Sequence, residues 1–130
     1  MIKTAGELIT EAQNKINCVD VISAKTIYDD AKTIYDDAKT IYDDANHAVI
    51  IDVRESGSYE NSHLKESINI PRGLLEMKIE KHCENSEIII LTHCAGGGRA
   101  SLAALTLHNM GYSNVHAITA TFEEIKDVFD

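Results

Sequence analysis

Basic residues are in short supply: 12 Lys and Arg stand against 21 Asp and Glu, a formal net charge of -9 at pH 7. A surface of that sign offers no basic stripe to neutralise a phosphate backbone, which excludes nucleic acid as a partner. No hydrophobic run approaches the roughly 20 residues that a membrane helix needs. The opening stretch, Met1-Ile-Lys-Thr-Ala-Gly-Glu-Leu8, has neither the apolar core nor the cleavage pattern of a signal segment. A cytoplasmic protein with no membrane association is therefore expected. Cysteine is sparse as well: Cys18, Cys83 and Cys94 form no CxxC pair, so a disulfide framework is excluded and a reducing compartment expected. Zinc is excluded because His93 and Cys94 are adjacent and no further Cys/His pair has ligand spacing. Aromatics make up only 5% of a chain that is 44% apolar, an ordinary globular composition with a modest core. The 130 residues predict a single domain, 1–130.

The run Glu87-Ile-Ile-Ile-Leu-Thr-His-Cys94-Ala-Gly-Gly-Gly-Arg99-Ala-Ser101 carries the chemistry. It places Cys94 where a buried strand gives way to a glycine-rich turn and then a helix. Backbone N–H groups of Ala95, Gly96, Gly97 and Gly98 can point at one centre, and the first turn of the helix from Arg99 adds unsatisfied donors and its positive dipole end. In such a field a cysteine pKa can fall to roughly 3.5 to 7.5, which makes Cys94 the candidate nucleophile. The glycines allow left-handed dihedrals and leave room for an anion. Cys18 and Cys83 have no glycine turn or flanking arginine and read as ordinary side chains. His93 faces away from Cys94 if strand alternation persists, making it a neighbour of the loop and not its base.

A repeat is the second conspicuous feature. Ala-Lys-Thr-Ile-Tyr-Asp-Asp occurs at 24–30, 31–37 and 38–44, three tandem copies that point to recent duplication or insertion. Seven residues are too few for a solenoid unit but nearly two helical turns, so added copies lengthen a helix while its faces stay aligned. Ala24, Ile27, Tyr28, Ala31, Ile34, Tyr35, Ala38, Ile41, Tyr42 and Ala45 would form one apolar stripe, with Ser23 capping its start. Fourteen surplus residues would add about 21 Å. That excess pairs with another molecule, projects half-exposed or loops out. A monomer is the default, with self-association through the repeat helix as the alternative.

The remaining chain alternates. Thr4 and Glu7 form a capping box, with Ala5, Leu8, Ile9, Ala12 and Ile16 as the face of the first helix. Val19–Ile22 reads as a short strand, Ala48–Val53 as an apolar strand of parallel-sheet character and 56–62 as a helical turn. Ser67–Ile70 is a strand stopped by Pro71, Leu74–Lys81 a helix, and Ile88–Thr92 the strand leading into the loop. Arg99–Met110 is a helix with Gly111 as C-cap, Val115–Ile118 a strand and Thr121–Phe129 the closing helix. This pattern predicts an α/β fold, a three-layer sandwich with a mainly parallel sheet of about five strands. Such sheets bind ligands beyond the carboxyl ends of their strands, where Cys94 falls.

Ile51-Asp-Val-Arg-Glu55, Tyr59-Glu-Asn-Ser-His63, Ile68-Asn-Ile-Pro71 and Cys94-Ala-Gly-Gly-Gly-Arg99 together resemble a single-domain rhodanese, a sulfurtransferase, over nearly all of residues 18–129. The resemblance implies a rhodanese-like fold and a Cys94 persulfide that receives a sulfane sulfur from thiosulfate or another persulfide or polysulfide donor. A thiol or cyanide acceptor then collects it, with no cofactor. It also implies that the amides of Ala95 to Gly98 hold the sulfur, that Arg99 fixes the loop and its anionic guest, and that Asp52 and Arg54 are ion-pairing positions, Arg54 at the pocket edge. His63 corresponds to a packing histidine. Three departures stand out: Ala95 where thiosulfate-active members often have a basic residue, Ala120-Thr121 where many have Gly-Gly, and Ile125 where an aromatic is common. The last two changes are expected to alter packing at the pocket rim. Two rivals remain. A cysteine phosphatase or arsenate reductase would place five residues between cysteine and arginine, whereas four lie between Cys94 and Arg99. A non-catalytic interaction domain would have no need of both residues.

Overall fold

Apolar runs too short for helices pair into one sheet, and the computed structural model describes it through residues 1–37 and 48–130, with 34–37 described by backbone alone. The strands are β1 (Asn17–Val19), β2 (Ala48–Asp52), β3 (Ser67–Asn69), β4 (Ile89–His93) and β5 (Val115–Ile118). Their order is β1-β5-β4-β2-β3, and each neighbouring pair is parallel. Every residue of β2 is buried, because helices cover both faces of the sheet. Val49 and Ile51 join one core with Ile90, Leu75, Ala103 and Leu107. Ala48 and Ile50 join the other with Leu91, Ile118, Ala24, Tyr28 and Ile125.

On the first face lie α4 (Leu75–Lys78) and α5 (Gly98–Met110), with α1 (Ala5–Gln13) against α5. On the second lie α2 (Val21–Asp37) and α6 (Phe122–Phe129), and α3 (Ser56–Asn61) follows β2. The result is the expected α/β three-layer sandwich. Capping explains several boundaries. Thr4 and Glu7 close a capping box on α1, as Thr121 and Glu124 do on α6, each worth about 1 kcal/mol. Gly111 ends α5 at φ 110°, where an L side chain would be strained.

Several sequence readings shift. The first strand ends at Val19 and α2 already begins at Val21, because the Asp20 carboxylate accepts the Ser23 N–H at 2.7 Å. Asp20, not Ser23, is the cap. The Leu74–Lys81 segment is one turn of α-helix between two 3-10 turns. Leu8 is exposed, and Ile16 lies beyond the end of α1, so the buried face of that helix is centred on Ala12. The stripe of α2 holds where its side chains are described: Ala24, Tyr28 and Ala31 are buried and Ile27 is half-buried. Ile34 and Tyr35 continue α2 in backbone with their side chains undescribed, and Ala38, Ile41, Tyr42 and Ala45 lie outside the described residues. Ile125 is fully buried in the α2/α6 core, so its identity bears on core packing and not on a pocket rim. No helix among the described residues is long and apolar enough to cross a membrane.

Candidate active site

Cys94 is the first residue beyond β4, at the carboxyl end of the central strand, and only 2% exposed. The chain turns sharply there, and Gly97 makes the turn possible: its φ of 99° is left-handed, and a Cβ would stand 3.1 Å from the Thr119 Cα of the loop after β5. The same turn aims the Gly97 N–H at the Cys94 Sγ, at 3.0 Å, and the Ala100 N–H adds a second contact at 3.4 Å. Two N–H groups thus reach the thiol: that of Gly97, within the expected set Ala95 to Gly98, and that of Ala100, two residues beyond it. Helix geometry explains the difference, since a thiol beside the first turn of α5 faces N–H groups three residues apart. Gly96 is exposed, with nothing within 4 Å of a Cβ placed on it. Ala95 is exposed as well.

Hydrogen bonds hold this loop from several sides. Ser101 donates from its hydroxyl to the Gly97 carbonyl at 2.7 Å and accepts from the Gln13 amide of α1 at 3.1 Å. Thr92 donates to the Ala100 carbonyl at 2.9 Å. The Phe122 N–H, from the start of α6, donates to the Ala95 carbonyl at 3.1 Å. Ile9 of α1 lies against Gly98, where its Cδ1 would be 2.9 Å from an added Cβ. Arg99, the second residue of α5, is exposed and makes no hydrogen bond or ion pair among the described residues. No hydrogen bond of its guanidinium holds the loop among the described residues.

A buried polar cluster lies on the opposite face of the sheet. Asp52 ends β2 opposite His93 of β4. Its carboxylate accepts two hydrogen bonds from the Arg54 Nε and one from Nη2, at 2.8 to 3.1 Å, as well as the Arg54 backbone N–H at 2.9 Å. Arg54 Nη2 also donates to the Ser62 carbonyl at 2.7 Å, and the guanidinium stacks on the Phe122 ring, 3.9 Å from its centroid. Most of Arg54 thus serves the fold: breaking such a buried pair costs roughly 3–5 kcal/mol. His93 is fully buried, 3.7 Å from the Asp52 carboxylate, with neither ring nitrogen hydrogen-bonded. Burial holds its pKa below the ordinary value, only partly opposed by the Asp52 charge. Its ring stacks on Phe122, with centroids 6.1 Å apart. Strand alternation turns Cys94 toward the α4/α5 core and His93 toward Asp52 and Phe122 on the other face. His63 donates from Nδ1 to the Tyr59 carbonyl at 2.7 Å and stacks on the Tyr59 ring.

Cys18 is exposed on the edge strand β1. Cys83 is buried in the α4/α5 core, where desolvation pushes its thiol up to about 11. Phe122 was missed by the sequence reading, although it joins the loop, Arg54 and His93. Its signal was an aromatic directly after the Thr121 cap of the last helix, a position that faces the carboxyl end of a parallel sheet.

Residues 35–127 match the rhodanese-like domain family. The chain is 38% identical over 66 residues to a putative sulfur carrier protein, YrkF, of Bacillus subtilis (strain 168), an alignment covering 51% of this chain and 35% of that protein. Among solved structures it is similar to a rhodanese with anions from E. coli, at 26% identity and TM-score 0.56, over 60% of this chain and 91% of that one. It also resembles a protein of unknown function from Rhodopseudomonas palustris CGA009, described as a possible tyrosine phosphatase. That likeness has TM-score 0.75 at 24% identity and covers 98% and 92% of the two chains; identity at that level speaks for the fold alone. With the family match extending over most of the chain, this protein belongs to the rhodanese-like domain family.

Proposed function

We propose that this protein is a sulfurtransferase that carries a sulfane sulfur as a Cys94 persulfide. The observation that carries the reading is the pair of N–H groups, from Gly97 and Ala100, directed at the Cys94 Sγ at the start of a 13-residue helix. The Cys94 thiolate attacks the outer sulfur of a donor such as thiosulfate. A bond forms between Sγ and that sulfur, and the donor's S–S bond breaks with its electron pair leaving on sulfite. A thiol or cyanide then takes the outer sulfur and returns the pair to Sγ. Both half-reactions keep negative charge beside the Gly97 and Ala100 amides and the positive end of α5, an arrangement of the oxyanion-hole kind. Arg99 supplies the cation at the mouth. Its location and lack of partners suit capture of an anionic donor, whereas Arg54, largely satisfied by Asp52, contributes only an edge of its guanidinium.

A cysteine phosphatase or arsenate reductase is the second reading. Four residues between Cys94 and Arg99 close a ring with room for a sulfur atom and too tight for a phosphoryl group. Intact mass separates the two: exposure to thiosulfate or polysulfide is expected to add about 32 Da, one sulfur atom, to the wild type, C18S and C83S but not to C94S. Arg99→Ala is expected to stay folded and lose most of its turnover with thiosulfate. Equal mass gain in C94S removes the assignment, and undiminished thiosulfate turnover in R99A removes the role given to Arg99.

A further inference from the structure

Each residue that directs an N–H at the Cys94 Sγ has its own carbonyl held by a buried hydroxyl. The Gly97 carbonyl accepts the Ser101 N–H at 3.0 Å and the Ser101 hydroxyl at 2.7 Å. The Ala100 carbonyl accepts the Thr92 hydroxyl at 2.9 Å. Thr92 and Ser101 are both fully buried. Thr92 stands on β4 between Ile90 and Cys94, which belong to the α4/α5 core, so strand alternation puts its side chain on the thiol's face of the sheet. Its hydroxyl bonds a helix carbonyl eight residues further along the chain. That bond ties the first turn of α5 to the end of β4. Ser101 makes the bond to the i−4 carbonyl that is open to any helical serine, but its proton is given a direction. Gln13 of α1 donates to the Ser101 oxygen at 3.1 Å, which leaves the hydroxyl proton for Gly97. α1 precedes residues 35–127, the stretch that matches the family.

The N–H and the carbonyl of one residue are separated by only two soft dihedrals. Pinning the carbonyls of Gly97 and Ala100 therefore limits how far their N–H groups swing away from Sγ. Donors aimed beforehand stabilise a negative sulfur without reorganising as the charge forms. We propose that Thr92 and Ser101 are positioning residues for Cys94, acting through the carbonyls of Ala100 and Gly97 to keep both N–H groups on the sulfur; the proposal takes Cys94 as the reacting thiol, as the sulfur-transfer reading above does. Among the described residues neither hydroxyl bonds to Sγ itself. Their effect on the thiol is carried by the backbone.

The test uses the full chain with Cys18→Ser, which removes the exposed thiol, and follows alkylation of Cys94 by iodoacetamide against pH by intact mass. The chain with both C18S and C94S is the blank for Cys83. Thr92→Val keeps the shape of the side chain and removes the hydroxyl, whereas Thr92→Ser keeps the hydroxyl and removes a methyl group. Weaker donation to a thiolate disfavours its charged form. The pH midpoint of alkylation is therefore expected to rise by about half a unit or more in T92V and in Ser101→Ala, and to stay within about 0.2 units of the parent in T92S. A packing role for Thr92 gives the opposite order, with T92S displaced and T92V silent. That order, or an unmoved midpoint in both T92V and S101A, overturns the proposal, and S101A decides it where T92V does not fold. Alkylation needs no sulfur transfer, so a Cys94 that never gains about 32 Da from polysulfide removes the sulfur-transfer reading alone, while the alkylation profiles still judge the two hydroxyls.

Discussion

Burial dictates the charge state of His93. Desolvation keeps its pKa below the ordinary 6.5 against the pull of Asp52. The unfolded chain takes up a proton on this ring near 6.5, and the folded protein does so only at lower pH. Between those values the unfolded state binds more protons, so the stability contribution is full above about pH 6.5 and declines as pH falls, by up to about 1.4 kcal/mol per pH unit. His116, lowered by burial too, adds in the same sense. His93→Asn is expected to flatten the acid loss of stability, read as urea midpoints between pH 7.5 and 5.5; a slope equal to that of the wild type would show that the ring is not the source. At this scale the sequence is legible where chemistry is local. Cys94 and Arg99 stand out by residue type and spacing, whereas the ion pair of Asp52 with Arg54 is legible only through the resemblance to the rhodanese family. Phe122 and the Ala100 amide do not stand out: Phe122 comes from the distant start of α6 to meet the loop at the sheet edge, and the Ala100 N–H reaches Sγ only through the geometry of the first turn of α5.

Among elements, the turn from β4 into α5 decides the site. Three consecutive glycines look equivalent in sequence, yet they face different surroundings. Gly97 has a left-handed φ and the Thr119 backbone close by; Gly96 has neither. Gly97→Ala is expected to cost about 1–3 kcal/mol and to pull its N–H off the Cys94 Sγ, slowing sulfur loading. Gly96→Ala is expected to stay within about 0.5 kcal/mol of the wild type. Urea denaturation and loading rates for the two variants check this, and equal stability would mean that the loop relaxes freely at 97. Element types were readable because apolar runs bounded by glycine, proline and capping residues mark buried strands and short helices. Boundaries were less so. Asp20 and Ser23 are both good N-cap residues, and only the backbone path out of β1 determines that Asp20 takes the position.

The whole molecule separates its two unusual features. Cys94 packs into the α4/α5 core, while α2, which carries the first two copies of the repeat, covers the other face against Ile50, Leu64, Ile118 and Ile125. The first copy makes these contacts through Ala24, Ile27 and Tyr28, and the Tyr28 hydroxyl donates to Glu66. Removal of residues 31–44 leaves that copy intact and brings Ala45 into the register of Ala31, because the units are identical. Lys32 is lost, and with it the exposed ion pair to Glu66, worth about 0.2–1 kcal/mol. Asn46 and His47 then join the helix to β2. The shortened chain is expected to fold, to load sulfur on Cys94 within a few-fold of the wild-type rate, and to sediment as a monomer of reduced frictional ratio. Sedimentation velocity and intact mass after thiosulfate exposure measure both halves of the expectation. Lost loading in a shortened chain that remains folded, judged by an unchanged urea midpoint, would mean that the surplus residues act on the site from the far side of the sheet, and the separation of the two faces would no longer hold.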